Sequence, residues 1–336
     1  MSFTSIGDLA QSLQLRQFNT ALKTQTKTLA SELATGQHQN LTKHLGGNLR
    51  ILAGLESTID TLGSYTRNAD QAGRILEDTQ TALNAVQSAV SDASSELLST
   101  KNAANASLLD TTAEAVKIRL DTALAALNTR SAGQSLFSGI AIDAKAVPSG
   151  EDLLDLVRAD MVGVTTVGDA VAALNTFFDD PAGGFATLAY GGDAQIRGDM
   201  QISDDQFIEV GQTALDPVIT NALKGLVAGA LIADAIPDGT VETKTVYMDL
   251  AVQTTLNGAA DLSTLRGRIG LQEGLVSDLK TRHSAELTTL EISRNELVSV
   301  DAYETATRLE NTQIQLETLY AVTARLSSLK LADFLR

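Results

Sequence analysis

The residues best suited to acid–base or metal chemistry are the three histidines, His38, His44 and His283, in a chain of 336 residues. His38 and His44 stand close together beside Lys43. A zinc site needs further ligands at tight spacing, and no H-E-x-x-H pair or comparable arrangement accompanies them. The plain reading is a pair of solvated turn histidines. There is no cysteine, so thiolate ligands, disulfides and thiol nucleophiles are all excluded. Asp179–Asp180 and Asp204–Asp205 offer carboxylate oxygens of the kind a hard cation takes, but acidic surface turns have the same composition. No G-x-S-x-G, P-loop or G-x-G-x-x-G is present. Gly183–Gly184 and Gly191–Gly192 read as turns, because no phosphate-cradling helix pattern follows them. Without a nucleophile–base pair or a ligand set, the chain is not expected to be an enzyme. No catalytic, metal-binding or cofactor-binding residue is assigned, and no cofactor is expected.

The elements that would position such groups are unevenly built. Lys and Arg number 25 and Asp and Glu 41, a net charge of −16. Such a balance argues against a nucleic-acid partner, which needs cations to neutralise phosphates. Residues 140–258 hold 18 acidic and 5 basic side chains, which accounts for −13 of the total. All four prolines, Pro148, Pro181, Pro217 and Pro237, also lie there. The flanks are nearly neutral and proline-free. A shift of this size predicts a domain boundary on each side. The longest apolar run, 225–233, is far shorter than the ~18 residues of a membrane span, so no membrane insertion is expected. No basic segment followed by an apolar core opens the chain, so no cleaved signal peptide is expected.

The flanks read as long helices. From Leu52 through Leu62, Leu76, Leu83 and Val90 to Leu97, apolar and small residues step by threes and fours over some six heptads. A helix over 47–100 is ~80 Å long at ~1.5 Å per residue and needs a long partner. The run Leu262, Leu265, Ile269, Val276, Leu279, Leu287 and Leu290 supplies one over 259–299. Between them, after a break near 101–106, Thr111 and Glu114 read as a capping box opening a helix that ends near Gly133. At the start, Leu15, Phe18, Leu22, Leu29 and Leu33 form a stripe closed by Gly36 as a C-cap. At the end, Asp301 and Glu304 read as an N-cap, followed by Leu309, Leu316, Leu319, Leu326 and Leu329, with Phe334 and Leu335 beyond. An amphipathic helix at each end suits pairing of the two with each other and with neighbouring molecules. The fold expected is mainly α, a long antiparallel helical bundle with coiled-coil helices at its ends and an inserted β-rich or mixed domain. In the insert, Met161–Val167, Gln206–Val210 and Thr240–Met248 are β-compatible, and 215–236 is compatible with a helix. The domains expected are an assembly helix over 1–40, a rod segment over 41–139, an acidic outer domain over 140–258, a second rod segment over 259–300, and an assembly helix over 301–336.

Several short motifs then fit one family. Leu33-Ala34-Thr35-Gly36 resembles the L-S-[ST]-G that ends the first helix of flagellins. Ser135-Leu136-Phe137-Ser138-Gly139, preceded by Gly133, resembles the family's Y-L-F-[SA]-G turn. Tyr190-Gly191-Gly192-Asp193 with Arg197 is similar to a Y-x-G-D…R segment of the hook–filament junction branch of that family, hook-associated protein 3. The ending Leu329-Lys330-Leu331-Ala332-Asp333-Phe334-Leu335 resembles that branch's L-S-L-x-[ND]-Y-L. One difference stands out: 42–48 lack the Asp-Asp pair that the family usually carries after its first turn.

The resemblance implies a structural subunit of the bacterial flagellum, a secreted motility protein forming the adapter layer between hook and filament. It implies export through the flagellar type III channel without a cleaved signal, and an extracellular place at the junction. The implied partners are further copies in a ring or tube, an adjacent hook-associated protein, flagellin, and an export chaperone on the C-terminal helix. The alternatives are flagellin itself and, from another class, a cytoplasmic coiled-coil binding protein.

Overall fold

The computed structural model describes residues 6–101 and 105–334, of which helices make up most. In chain order these are α1 (Ile6–Thr35), α2 (Leu41–His44), α3 (Arg50–Lys101), α4 (Ala106–Leu127), strands β1 (Arg130–Ser131) and β2 (Gln134–Ser135), α5 (Gly150–Asp160), α6 (Val167–Asp179), a π turn (Phe185–Ala189), β3 (Met200–Gln201) and β4 (Phe207–Ile208), α7 (Pro217–Ala230), α8 (Val241–Val298) and α9 (Ala302–Phe334). The chain forms two compact units, Met1–Thr61 with Ala285–Arg336, and Leu62–Ser284.

In the first unit α1 packs along α9. The pair is antiparallel: Val300 N donates to Gly36 O at 3.0 Å at one end, while further along Lys23 Nζ lies 5.8 Å from the Tyr320 ring centroid. α1 stops where the sequence predicts. Gly36 takes φ +70°, and its N–H donates back to Glu32 O at 2.8 Å. Asp301 caps α9, its Oδ1 accepting from Glu304 N at 3.0 Å. Gln37 and Ser299 form a β-bridge between these two ends.

The second unit holds the core. Leu76, Leu83, Val90 and Leu97 of α3 are buried, as are Leu262, Leu265, Ile269 and Val276 of α8. The α3 stripe has the partner its length requires: Arg266 Nε donates to Gln80 Oε1 at 2.9 Å, and a Cβ on Gly73 would sit 3.6 Å from Val276. α4 packs on α7. α7 is buried from Ala222 to Ala230, and a Cβ at Gly229 would come 2.9 Å from Val116.

Three local expectations change. Asn105 caps α4, accepting from Leu108 N at 2.9 Å. Thr111 is inside that helix, its hydroxyl donating to Ser107 O, and Glu114 pairs with Lys117 at 2.8 Å. The T-x-x-E spacing is therefore a helix-interior coincidence, and an Asx cap five residues earlier starts the helix. The break itself runs from Lys101 to Ala106, and 102–104 lie outside the described residues. Thr240–Met248 is helix, because Asp238 Oδ1 accepts from Thr240 N at 3.1 Å and from the Thr243 hydroxyl at 2.7 Å. That cap starts α8 at Val241, well before 259. Met161–Val167 is a turn leading into α6. Only Gln206–Val210 holds a strand, β4, paired antiparallel to β3. Of the two alternatives for the insert, the mixed one describes it: three helices, a π turn and two-residue strands.

Candidate assembly interface

The residues with chemical potential serve as anchors. The His38 and His44 rings stack at 3.8 Å, and His38 Nδ1 lies 3.6 Å from Glu32 Oε1. His283 is buried, with Nε2 2.8 Å from Ile202 O. Asp179 takes the buried Lys224 ammonium at 2.7 Å. Asp180 accepts from Ala182 N, and Asp204 from the Tyr65 hydroxyl at 2.9 Å. Among the described residues no group of three or more His, Cys, Asp or Glu side chains could hold a metal ion, and no helix is long and apolar enough to cross a membrane.

Two motifs that are separate in sequence become one buried turn. Leu136, Phe137 and Ser138 are buried, and Phe137 O accepts from Ala214 N at 2.9 Å. The Tyr190 hydroxyl donates toward Phe137 O at 3.2 Å and Asp193 O at 2.9 Å. Asp193 N donates to Ser138 O, and Ile140 N to Gln195 O, both at 3.0 Å. Arg197 Nη2 donates to Ser135 O. Gly139, at φ +61°, lies so close that a Cβ would fall 2.2 Å from Asp193 O. At Gly192 a Cβ would fall 2.6 Å from Ser138 O. The two segments thus interlock through main-chain contacts that no larger residue permits. Burial, then the nearby Asp193 carboxylate, pushes the Tyr190 hydroxyl up to about 12. Burial also lowers the Arg197 guanidinium from its ordinary value.

Removing Arg197 should therefore cost stability. Arg197→Ala leaves Ser135 O without this donor, and a loss of about 1–3 kcal/mol is expected for an orphaned acceptor. Urea denaturation of the full chain measures it.

The proposed assembly residues divide by burial. Leu29 is buried, and Leu15, Leu22, Leu309, Leu316, Leu319 and Leu326 are half-buried. These face the α1–α9 seam together with buried Thr305 and Thr312. Phe18 is 53% exposed and Leu33 is exposed. The side chains of Leu329 and Phe334, and Leu335 entirely, lie outside the described residues. The stripe reading missed a second set of outward-facing apolar residues, Leu13, Tyr303, Ile314 and Val322. Tyr303 and Ile314 stand eleven residues apart, three helical turns, a spacing that marks a second face once the first is assigned to the seam. The pair is amphipathic on its inside and partly apolar on its outside.

Comparison with known proteins follows this geometry. Residues 252–335 match the bacterial flagellin C-terminal helical region. No curated protein matches the sequence. A structure provisionally described as a flagellar hook-associated protein from Vibrio parahaemolyticus is similar, with a TM-score of 0.50 and 14% identity, over 73% of this chain and 95% of that one. FlgL of Bacillus cereus is similar with a TM-score of 0.51 and 11% identity, over 70% of this chain and 96% of that one. At such identities the likeness is one of fold. The chain is a flagellin-family protein, carrying that family's C-terminal helical region on a fold shared with these two flagellar structures.

Proposed function

We propose that the chain is a structural, non-enzymatic subunit of the bacterial flagellum that forms the adapter layer joining hook to filament. The observation that carries this is the α1–α9 pair, which packs an inner seam and still exposes Phe18, Ile314 and Tyr303. Burying one large apolar side chain is worth ~1.5–3 kcal/mol. Several such residues per copy supply a driving force that is realised only when neighbours are present. The flagellin C-terminal match and the likeness to a hook-associated protein and to FlgL support the flagellar setting.

On this reading 1–40 and 301–336 are the assembly helices, and 140–258 is the acidic outer domain. The partners are further copies, an adjacent hook-associated protein and flagellin. The place is outside the cell, reached through type III export, with a chaperone holding the last helix beforehand. The second reading, flagellin itself, draws on the same C-terminal match.

Electron microscopy of a deletion strain separates them. Hooks lacking filaments, with flagellin lost to the medium, are expected for the adapter. Intact filaments on the deletion strain would overturn the adapter reading, and filament loss with no flagellin in the medium would point to the filament subunit.

A further inference from the structure

The α1–α9 pair carries charges that its own packing leaves unused. Between positions 12 and 29, α1 has Arg16, Lys23 and Lys27 and no acidic residue. All three are exposed. Spacings of seven and four place them on one flank of the helix, within about 40° of each other at ~100° per residue. Between positions 309 and 324, α9 has Glu310 and Glu317 and no basic residue. Both are exposed and bracket Ile314, which is 54% exposed. These three lie roughly 140–200° around the helix from buried Thr312, on the side away from the seam. Glu304 has a partner in Arg308 at 2.9 Å. Among the described residues Arg16, Glu310 and Glu317 have no such ion pair.

We propose that the basic ridge of α1 in one copy docks on the acidic ridge of α9 in a second copy, with Arg16 and Lys23 facing Glu310 and Glu317. Each pair of charges is seven residues apart, a rise of ~10.5 Å. Both contacts are therefore met in a single register. Leu13, which is 57% exposed beside the basic ridge, and Ile314 on the acidic one are covered by the same contact. The occupant is another copy because this chain carries both complementary ridges and satisfies neither internally. The two surfaces differ, so the contact is heterologous and repeats head to tail into a ring or helical array rather than closing as a twofold dimer. The inference rests on the assembly reading above and adds direction and register to it.

The test uses two full-length variants, R16E/K23E and E310K/E317K. The altered residues are exposed, so circular dichroism should be unchanged. In sedimentation velocity at low salt, each variant alone should need about tenfold or more protein than the unaltered chain to associate, since reversal turns attraction into repulsion. An equimolar mixture of the two variants should recover association to within about threefold, because each basic or acidic ridge again meets its opposite on another molecule. The fourfold variant should recover likewise. Undiminished association of either variant alone, or a mixture that stays dissociated, overturns the docking. That failure is distinct from failure of the adapter reading, which the filaments of the deletion strain decide. A hook-only deletion strain restored to full filaments by R16E/K23E would remove the charge pairing and leave the adapter role standing.

Discussion

Gly139→Ala is expected to destabilise the second unit by more than about 3 kcal/mol, a cost in the class of severe backbone and packing clashes. Two effects add. The residue sits at φ +61°, where a β-carbon is strained. That β-carbon would also lie 2.2 Å from Asp193 O and 2.5 Å from Gln195 O. Both obstacles are main chain, so no side chain can rotate out of the way. Relief requires the 190–197 segment to back off, which breaks the Asp193 N to Ser138 O and Ile140 N to Gln195 O bonds. Gly198→Ala is the control: nothing lies within 4 Å of its added carbon, and a change within about 0.5 kcal/mol is expected there. Thermal denaturation followed by circular dichroism compares the two. Equal effects would mean that the interlock of 135–139 with 190–197 does not hold the unit together.

Alkaline unfolding should be the second large effect. Tyr190 is pushed up to about 12 by burial and then by Asp193. Tyr247 is pushed up to about 12 by burial and then by Asp234. Both side chains are almost wholly buried, and the Tyr247 hydroxyl lies 3.4 Å from Ile236 O. In the unfolded chain each phenol ionises near 10, so between pH 10 and 12 the folded state holds protons that the unfolded state has released. Stability is therefore intact below pH 10 and falls as pH rises through about 12. Each phenol contributes up to about 2.7 kcal/mol of that loss, roughly 5 kcal/mol for the two together. Urea midpoints measured at pH 9, 10, 11 and 12 should fall progressively. Tyr247→Phe should flatten the decline by about half, at the cost of the hydroxyl's hydrogen bonds. An unchanged slope in that variant would show that the phenol is not the group responsible.

Much of the helical architecture was legible because its signals are local and periodic. The 52–97 stripe predicts a helix needing a long partner, and α3 and α8 bury Leu76, Leu83, Leu262 and Ile269. Gly36 and Asp301 read correctly as caps, since a left-handed C-cap and an Asx N-cap each depend on a few adjacent residues. Thr111–Glu114 failed for the same reason that such motifs are short: the pattern is common inside helices, and Asn105 outcompeted it. Thr240–Met248 failed because β-branched residues favour strands only when nothing caps a helix ahead of them, and Asp238 does so here.

The sequence by itself determined the kind of protein. Its acidic, proline-bearing centre, its nearly neutral helical flanks and its two apolar end stripes follow from composition and spacing alone. Tertiary structure decided which motifs act together and which faces remain open. Ser135–Gly139 and Tyr190–Arg197 lie more than fifty residues apart, and only folding brings Tyr190 to Phe137 O and Arg197 to Ser135 O. Likewise, one seam between α1 and α9 consumes Leu29, Thr305 and Thr312 and leaves Phe18, Ile314, Glu310 and Glu317 outward. Periodicity shows that a helix has an apolar side, whereas the choice of partner fixes which residues that side still offers to another molecule.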